Sequence, residues 1–570
     1  MSAAVDVALV WHMHQPDYRD PRSGRFRLPW VLLHAIKDYA DMAAHLEARP
    51  AMRAVVNFVP VLLDQLDDYA AQFATRTFRD PLLAVLARPE GGAIDGEERA
   101  FLLAQCFAAN HERMIAPFPA YAQLRELGRL AGQGDPAGYL ADAFLDDLLV
   151  WYLLGWTGET VRRGSALVRA LMAKGRGFTA GDRHALLDAI GAIVGGLAGR
   201  YRALEERGTI ELSTSPAQHP IGPLLLDFAC ARDARPDLPL PRHARYPGGE
   251  ERLDFHLDAA AASHRHRFGR SPDGVWPPEG AVSDAFVHAL ARRGVGWFAS
   301  GSQVLDNSLA RARIDAAAVD RLRGWRLPFA PATIAFFRDD RLSDLIGFEY
   351  RHWHSGDAVR HFVAELEARG RATANGRPPL VTIVVDGENA WEHYPYNGYW
   401  FLSELYEALA THPAIRPRTL REVVAEYESQ RLRGADPAGV LPSLVAGSWV
   451  YGDLATWIGH ADKNRAWDLL VDAKRACDDA LAAGRLDAAT RAAVHDQLGV
   501  CESSDWFWWF GDVHPAASVA AFDRLFRASL ARVYALLGVA PPEALGQPVS
   551  AGSASATDHD AIMRSTRAAD

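Results

Sequence analysis

Short apolar runs recur along the chain, and each ends abruptly in polar residues. Val5–Val10 runs into Trp11-His12-Met13-His14-Gln15-Pro16, and Ala54–Phe58 ends at Asn57-Phe58-Val59-Pro60. Thr209–Leu212 leads to Ser213-Thr214-Ser215-Pro216, and Gly274–Trp276 to Pro277-Pro278-Glu279. Gly296–Ala299 leads to Ser300-Gly301-Ser302, and Leu380–Val385 to Asp386-Gly387-Glu388-Asn389. Runs of this length, flanked by Gly, Pro and small polar residues, predict buried strands. Between several of them apolar residues return every three or four positions, as in Leu253–Phe268 and Ala358–Arg369, which predicts helices. Strands alternating with helices imply a parallel sheet, and polar residues at so many strand ends imply a barrel with its chemistry on one rim.

Helical periodicity dominates from about 75 to 205, as in Ala100–Phe107 and Phe144–Trp156, and reads as an insertion into a barrel domain covering 1–425. Arg416–Arg433 reads as a last helix and a linker. A second helical stretch, rich in aromatics, covers Tyr451–Leu536 and predicts an α-helical domain over 440–540 packed on the barrel. Residues 541–570 are mostly Pro, Ser, Ala, Gly and Asp and are expected to form a disordered tail.

Composition narrows the classes. The chain has 570 residues, 49% apolar and 23% charged, which is ordinary for a globular protein with a sizeable core. A net charge of −10 gives no electrostatic footprint for nucleic acid. Cys106, Cys230, Cys477 and Cys501 form neither a CxxC pair nor zinc-ligand spacing, which points to a reduced, cytoplasmic protein. The start, Met1-Ser2-Ala3-Ala4-Val5-Asp6, has no basic region, so no signal peptide is expected, and no apolar run reaches the about 20 residues of a membrane span. The glycine-rich phosphate loops and the G-x-S-x-G turn are missing, so nucleotide and serine-hydrolase chemistry lack their usual parts.

Two carboxylates at strand ends, Glu279 and Asp386, are the sharpest chemical signal. Burying such groups is costly unless they are paired or functional. Two of them in one cleft are what glycoside hydrolysis requires. Their bland readings are a helix cap near Ser283 and a turn at Gly387. His12-x-His14 can supply two metal ligands or two hydrogen-bonding groups to a polar ligand. No third ligand is evident, so no metal and no cofactor is expected. Tryptophans lie among His, Glu and Asn in apparent loops: Trp353, Trp391 beside His393, and Trp449 after Gly447-Ser448. Such sets suit sugars, whose C–H faces stack on rings while their hydroxyls bond polar groups; ordinary core packing is the alternative.

Taken together, these segments resemble glycoside hydrolase family 57. Its five ordered motifs correspond to His12-Met13-His14-Gln15-Pro16, Gly208–Pro216, Gly274–Glu279, Asp386–His393, and Ala446–Trp449 running on to Trp467. Phe337–Asp344 and Ser504–Trp509 extend the likeness toward the α-amylase and amylopullulanase branch. The resemblance implies an incomplete (β/α)7 barrel followed by a helical domain, with retention of anomeric configuration. It implies Glu279 as nucleophile and Asp386 as acid/base. His12, His14, Glu211, Trp276, Trp391, His393 and Trp449 are the expected substrate contacts, and the role of Glu388 stays open. One place departs from the family: Ser300-Gly301-Ser302 stands where relatives carry a Thr-Asp-Glu-like turn. The implied activity is cleavage of α-1,4 links, with α-1,6 links as an extension, in starch, glycogen or maltooligosaccharides. Neither nucleic acid nor membrane is an expected partner. A 4-α-glucanotransferase would use the same pair. A metal-dependent deacetylase or mannosidase-like enzyme built on His12 and His14 is an alternative of another class, and a non-catalytic glycan-binding protein is a third.

Overall fold

A computed structural model describes residues 4–131, 140–372 and 377–554. Ten strands form one sheet: β1 (Val5–Met13), β2 (Ala54–Phe58), β3 (Ile210–Thr214), β4 (Gly274–Val275), β5 (Trp297–Ser300), β6 (Trp325–Leu327), β7 (Ala330–Phe337), β8 (Leu380–Asp386), β9 (Ile415–Pro417) and β10 (Gly439–Val440). Seven of them run parallel in the order β7-β5-β4-β3-β2-β1-β8. Of the remaining three, β6 pairs antiparallel with β7, β10 joins β6 at that edge, and β9 runs parallel to the start of β1, off the main path. The strands expected at the six polar-ended runs all form. Among the strands outside those six, β7 is the one that completes the parallel set.

The sheet curls into an incomplete barrel whose seam lies between β7 and β8. Among the described residues no ladder pairs these two strands, and an isolated parallel bridge between Arg338 and Thr382 spans the seam. Asp339 N donates to Thr382 O (2.7 Å), and Arg338 Nε donates to Val384 O (2.9 Å). Helices follow the strands around the outside, including Pro60–Thr75, Gly249–Phe268, Asp284–Arg292, Ser302–Arg311, Ser355–Ala372, Tyr399–Thr411 and Leu420–Leu432. The insertion between β2 and β3 is helical and ends in the long helix Ala180–Glu206, where Tyr201 Oη donates to Tyr39 O (2.8 Å).

Beyond β10 the chain forms helices Ala461–Ala482, Ala488–Cys501, Ser504–Trp509 and Ala516–Leu536. A buried ion cluster ties this region to the barrel. Glu502 accepts from Arg252 Nε (2.8 Å), Tyr246 Oη (2.5 Å) and His256 Nε2 (2.7 Å). Burial alone would raise the Glu502 carboxyl, but Arg252 and His256 hold it down to about 2. Of the tail expected from 541 onward, residues 541–554 lie against these helices. Val549 is buried, and Ala516 N donates to Ser553 O (3.0 Å). Residues 555–570 lie outside the described residues.

Glu211, in the middle of β3, is fully buried and braces the barrel wall. Its Oε1 accepts from Trp297 Nε1 (2.7 Å) on β5 and its Oε2 from Arg421 N (2.7 Å) on the helix after β9. Glu211→Gln would set an amide N–H2 against one of these buried donors. It is expected to lower unfolding stability by about 1–3 kcal/mol, read by chemical denaturation, while leaving kcat within about twofold.

Candidate active site

The parallel register places four polar side chains in one row across adjacent strands. Asp386 on β8 stands beside His12 on β1, His12 beside Asn57 on β2, and Asn57 beside Ser213 on β3. Neighbours in register share a face of a parallel sheet, so this row lines the rim where the strands end. His12 Nδ1 donates to Asn57 Oδ1 (2.7 Å), and Asn57 Nδ2 donates to Ser213 Oγ (3.1 Å). Burial pushes the His12 imidazole down to about 3, so it is neutral. With its proton on Nδ1, Nε2 remains a lone-pair acceptor.

Glu279 reaches the same rim from the loop after β4. Pro277 and Pro278 stiffen the approach, and Glu279 itself takes a left-handed backbone (φ 58°, ψ 21°), a conformation that non-glycine residues seldom hold without a functional reason. Gly280 follows with φ +60°, and a side chain there would press on Trp276 and Trp449. Trp449 fastens the loop twice: its backbone N donates to Glu279 O (3.0 Å), and its indole Nε1 donates to Glu279 Oε2 (3.0 Å). One carboxylate oxygen is held, and Oε1 carries no such bond. Gly301 makes this docking possible, because a Cβ there would lie 2.7 Å from Trp449 Cα. The Ser300-Gly301-Ser302 departure is thus the seat of Trp449. Ser300 Oγ donates to Gly280 O (2.6 Å), and Ser302 Oγ donates to Asp340 Oδ2 (2.5 Å), a carboxylate supplied from beyond β7.

Both rim carboxyls are raised. Burial, with repulsion from Asp386, pushes Glu279 up to about 8 against the Trp449 hydrogen bond. Burial pushes Asp386 up to about 6; the Asn389 amide (3.0 Å), His14 and the Arg338 guanidinium oppose it. Two interacting acids of this kind share one proton between those values.

The loop after β1 is pinned from two sides. His14 N and Gln15 Nε2 donate to Glu388 Oε1 (3.1 and 3.2 Å), which gives Glu388 a place: it fixes the β1 loop to the β8 loop. Burial and nearby Asp386 raise the Glu388 carboxyl well above the usual range. From the other side, His14 Nε2 donates to Asp505 Oδ2 (3.0 Å) on the helix Ser504–Trp509. His219, also in a left-handed conformation, stacks on His14 with 3.8 Å between ring centroids and on His12 with 5.1 Å. Neither His219 nor Asp505 was among the expected contacts.

His14, His219 and Asp505 offer three ligand atoms within 4.8 Å of one another. The two imidazoles, however, lie nearly face to face, 21° between planes, so their in-plane lone pairs run side by side. A tetrahedral ion needs them to converge. The arrangement fits a hydrogen-bonding group better than a metal centre. Nδ1 of His14 and Nε2 of His219, buried without partners, are the ring nitrogens left for a polar ligand.

The other expected contacts divide. Trp449 and His14 stand at the site, and His12 beneath it. Trp276 is fully buried behind Glu279, edge-on to Trp449 at 5.0 Å, and so acts as backing and not as a sugar platform. Trp391 is buried, donates to Gly387 O (2.8 Å) and packs on Trp11. Glu211 is not brought to the rim. His393 meets the helical insertion through Asn110 (3.3 Å), and Glu392 lies 3.5 Å away.

The sequence profile of Glycosyl hydrolase family 57 matches residues 8–436. Similar solved structures include the GH57-type branching enzyme of Pyrococcus horikoshii, with 15% identity and a TM-score of 0.57 over 96% of this chain and 93% of that one. The GH57 branching enzyme of Thermococcus kodakaraensis has 16% identity and a TM-score of 0.57 over 94% and 90%. The α-amylase AmyC of Thermotoga maritima has 14% identity and a TM-score of 0.56 over 94% and 93%. At these identities the likeness carries the fold, while the profile match covers most of the chain and joins the barrel to the motif residues at its rim: the chain belongs to glycosyl hydrolase family 57.

Proposed function

We propose that the chain hydrolyses α-1,4-linked glucans with retention of configuration, Glu279 acting as nucleophile and Asp386 as acid/base. The observation that carries this reading is the placement of two half-buried carboxyls on one rim, Glu279 from the loop after β4 and Asp386 at the end of β8. In the first step Asp386 gives its proton to the glycosidic oxygen while Glu279 Oε1 attacks the anomeric carbon, and the aglycone leaves as an alcohol. In the second step ionised Asp386 takes a proton from water, whose oxygen attacks the same carbon and frees the Glu279 carboxylate. Trp449 Nε1, already on Oε2, supports the charge on Glu279 as it leaves. The order of the two pKa values places the shared proton on Glu279, whereas the reaction starts with it on Asp386. The two arrangements have the same proton count, and a glycosidic oxygen beside Asp386 favours the second. Neutral His12 and the His14–Asp505 pair would receive sugar hydroxyls. The four cysteines are free and three are buried, which suits a reducing cytoplasm.

Product analysis of maltoheptaose, glycogen and pullulan tests the reading. The wild type should yield shorter glucans, and Glu279→Gln or Asp386→Asn should lower kcat by about a thousandfold or more. Products longer than the substrate would mean transfer to a sugar hydroxyl. No turnover of any α-glucan would overturn the substrate class.

The pH profile of kcat/KM should be bell-shaped, with limbs near 6 and 8. Below the lower limb both carboxyls are protonated and the nucleophile is lost; above the upper limb both are ionised and the acid is lost. A flat profile from pH 5 to 9 would contradict the shared proton.

A further inference from the structure

A cavity of about 550 Å³ includes in its wall the two carboxylates that hold Arg338, Asp340 and Asp344. Ser302 and Gln303 after β5, Asp340 and Asp344 after β7, and Phe348 and Trp353 farther along that loop line it. It is contiguous with the rim. Arg338 donates to Asp340 (3.0 Å) and Asp344 (2.8 Å) on the cavity wall, and its guanidinium lies 5.3 Å over Trp449, the ring that holds Glu279. The cavity is therefore one side chain removed from the reacting centre.

Its lining combines apolar surface with convergent polar groups, the combination a sugar needs. Trp353 is 41% exposed, although large aromatic rings are usually covered. It is nonetheless held in place, edge-on to Tyr350 at 5.5 Å and tilted against His361 at 5.2 Å. A fixed indole with open surface is a stacking platform, and the serine, glutamine and carboxylates opposite match hydroxyls. A π-helical turn, Leu345–Glu349, shapes this wall, and such turns concentrate at functional sites.

We infer that this cavity is a glucan-binding subsite, in which Trp353 stacks a sugar several units from the bond that is cleaved. The inference rests on the α-glucan reading above. It makes the chain selective for long substrates: short ones fill the catalytic rim alone, and long ones also engage Trp353.

The test is calorimetric titration of maltoheptaose into Glu279→Gln, which blocks turnover, and into Glu279→Gln combined with Trp353→Ala or Trp353→Phe. Loss of Trp353 should weaken binding about tenfold, and Phe should restore most of it. In the otherwise wild-type enzyme, Trp353→Ala should raise KM for maltoheptaose while leaving kcat/KM for the shortest cleaved maltooligosaccharide within about twofold. Equal affinity with and without Trp353, or an equal loss on short and long substrates, would overturn the subsite. Those results alongside normal glycogen breakdown by the wild type would leave the catalytic reading intact. A wild type inert on every α-glucan, with Glu279→Gln failing to bind maltoheptaose, would remove both.

Discussion

A seven-stranded parallel barrel leaves a gap, and here the gap is held by one buried arginine. Arg338 sits where β7 and β8 fail to pair, donates to the Val384 carbonyl across the seam, and places its remaining donors on Asp340 and Asp344. A guanidinium can serve three acceptors in one plane; a lysine ammonium in its place would satisfy the same geometry poorly. Burying that cation is costly, and the two carboxylates offset the cost. The same charge lowers the Asp386 carboxyl and lies over the Trp449 ring. One side chain therefore bridges the seam of the fold and also reaches the ring that holds Glu279.

Much of the architecture is legible along the chain, for a stated reason. A parallel strand buried on both faces is mostly apolar until it ends, and then the polarity changes at once, as β5 and β8 show. β7 escapes because it opens on Ala330-Pro331-Ala332-Thr333, two of whose positions are exposed, so its apolar part looks too short. The two rim carboxylates, Glu279 and Asp386, stand out on the same grounds as the pair proposed for the chemistry. The substrate contacts are less so, since a tryptophan beside a carboxylate reads alike whether its ring faces the cleft, as in Trp449, or the core, as in Trp276 and Trp391. Glu211 misleads because strand position alone does not say how far from the rim a residue lies. His219 and Asp505 are invisible for the opposite reason: each gains its meaning from a partner far away in sequence.

The rim is assembled from many directions, and each contributor is fixed by something other than the site. Glu388 ties the first strand's loop to the last parallel strand, Gly301 and Gly280 make room for Trp449, and the Glu502 cluster anchors the segment that carries Asp505. The two rim carboxyls are thus positioned by contacts that the scaffold makes for its own reasons, Trp449 on Glu279 and Asn389 on Asp386.

The hydrogen bond from His14 to Asp505 spans 491 positions in the chain. A nascent polypeptide presents β1 long before Asp505, and 491 further positions must be added before His14 can meet its partner. The barrel strands can begin pairing before the segment bearing Asp505 exists, since domains fold as their chain emerges. Contacts of such long range slow the final ordering step. During synthesis, therefore, the strands of the barrel precede by a long interval the contact that pins His14, which can form only when the segment bearing Asp505 docks.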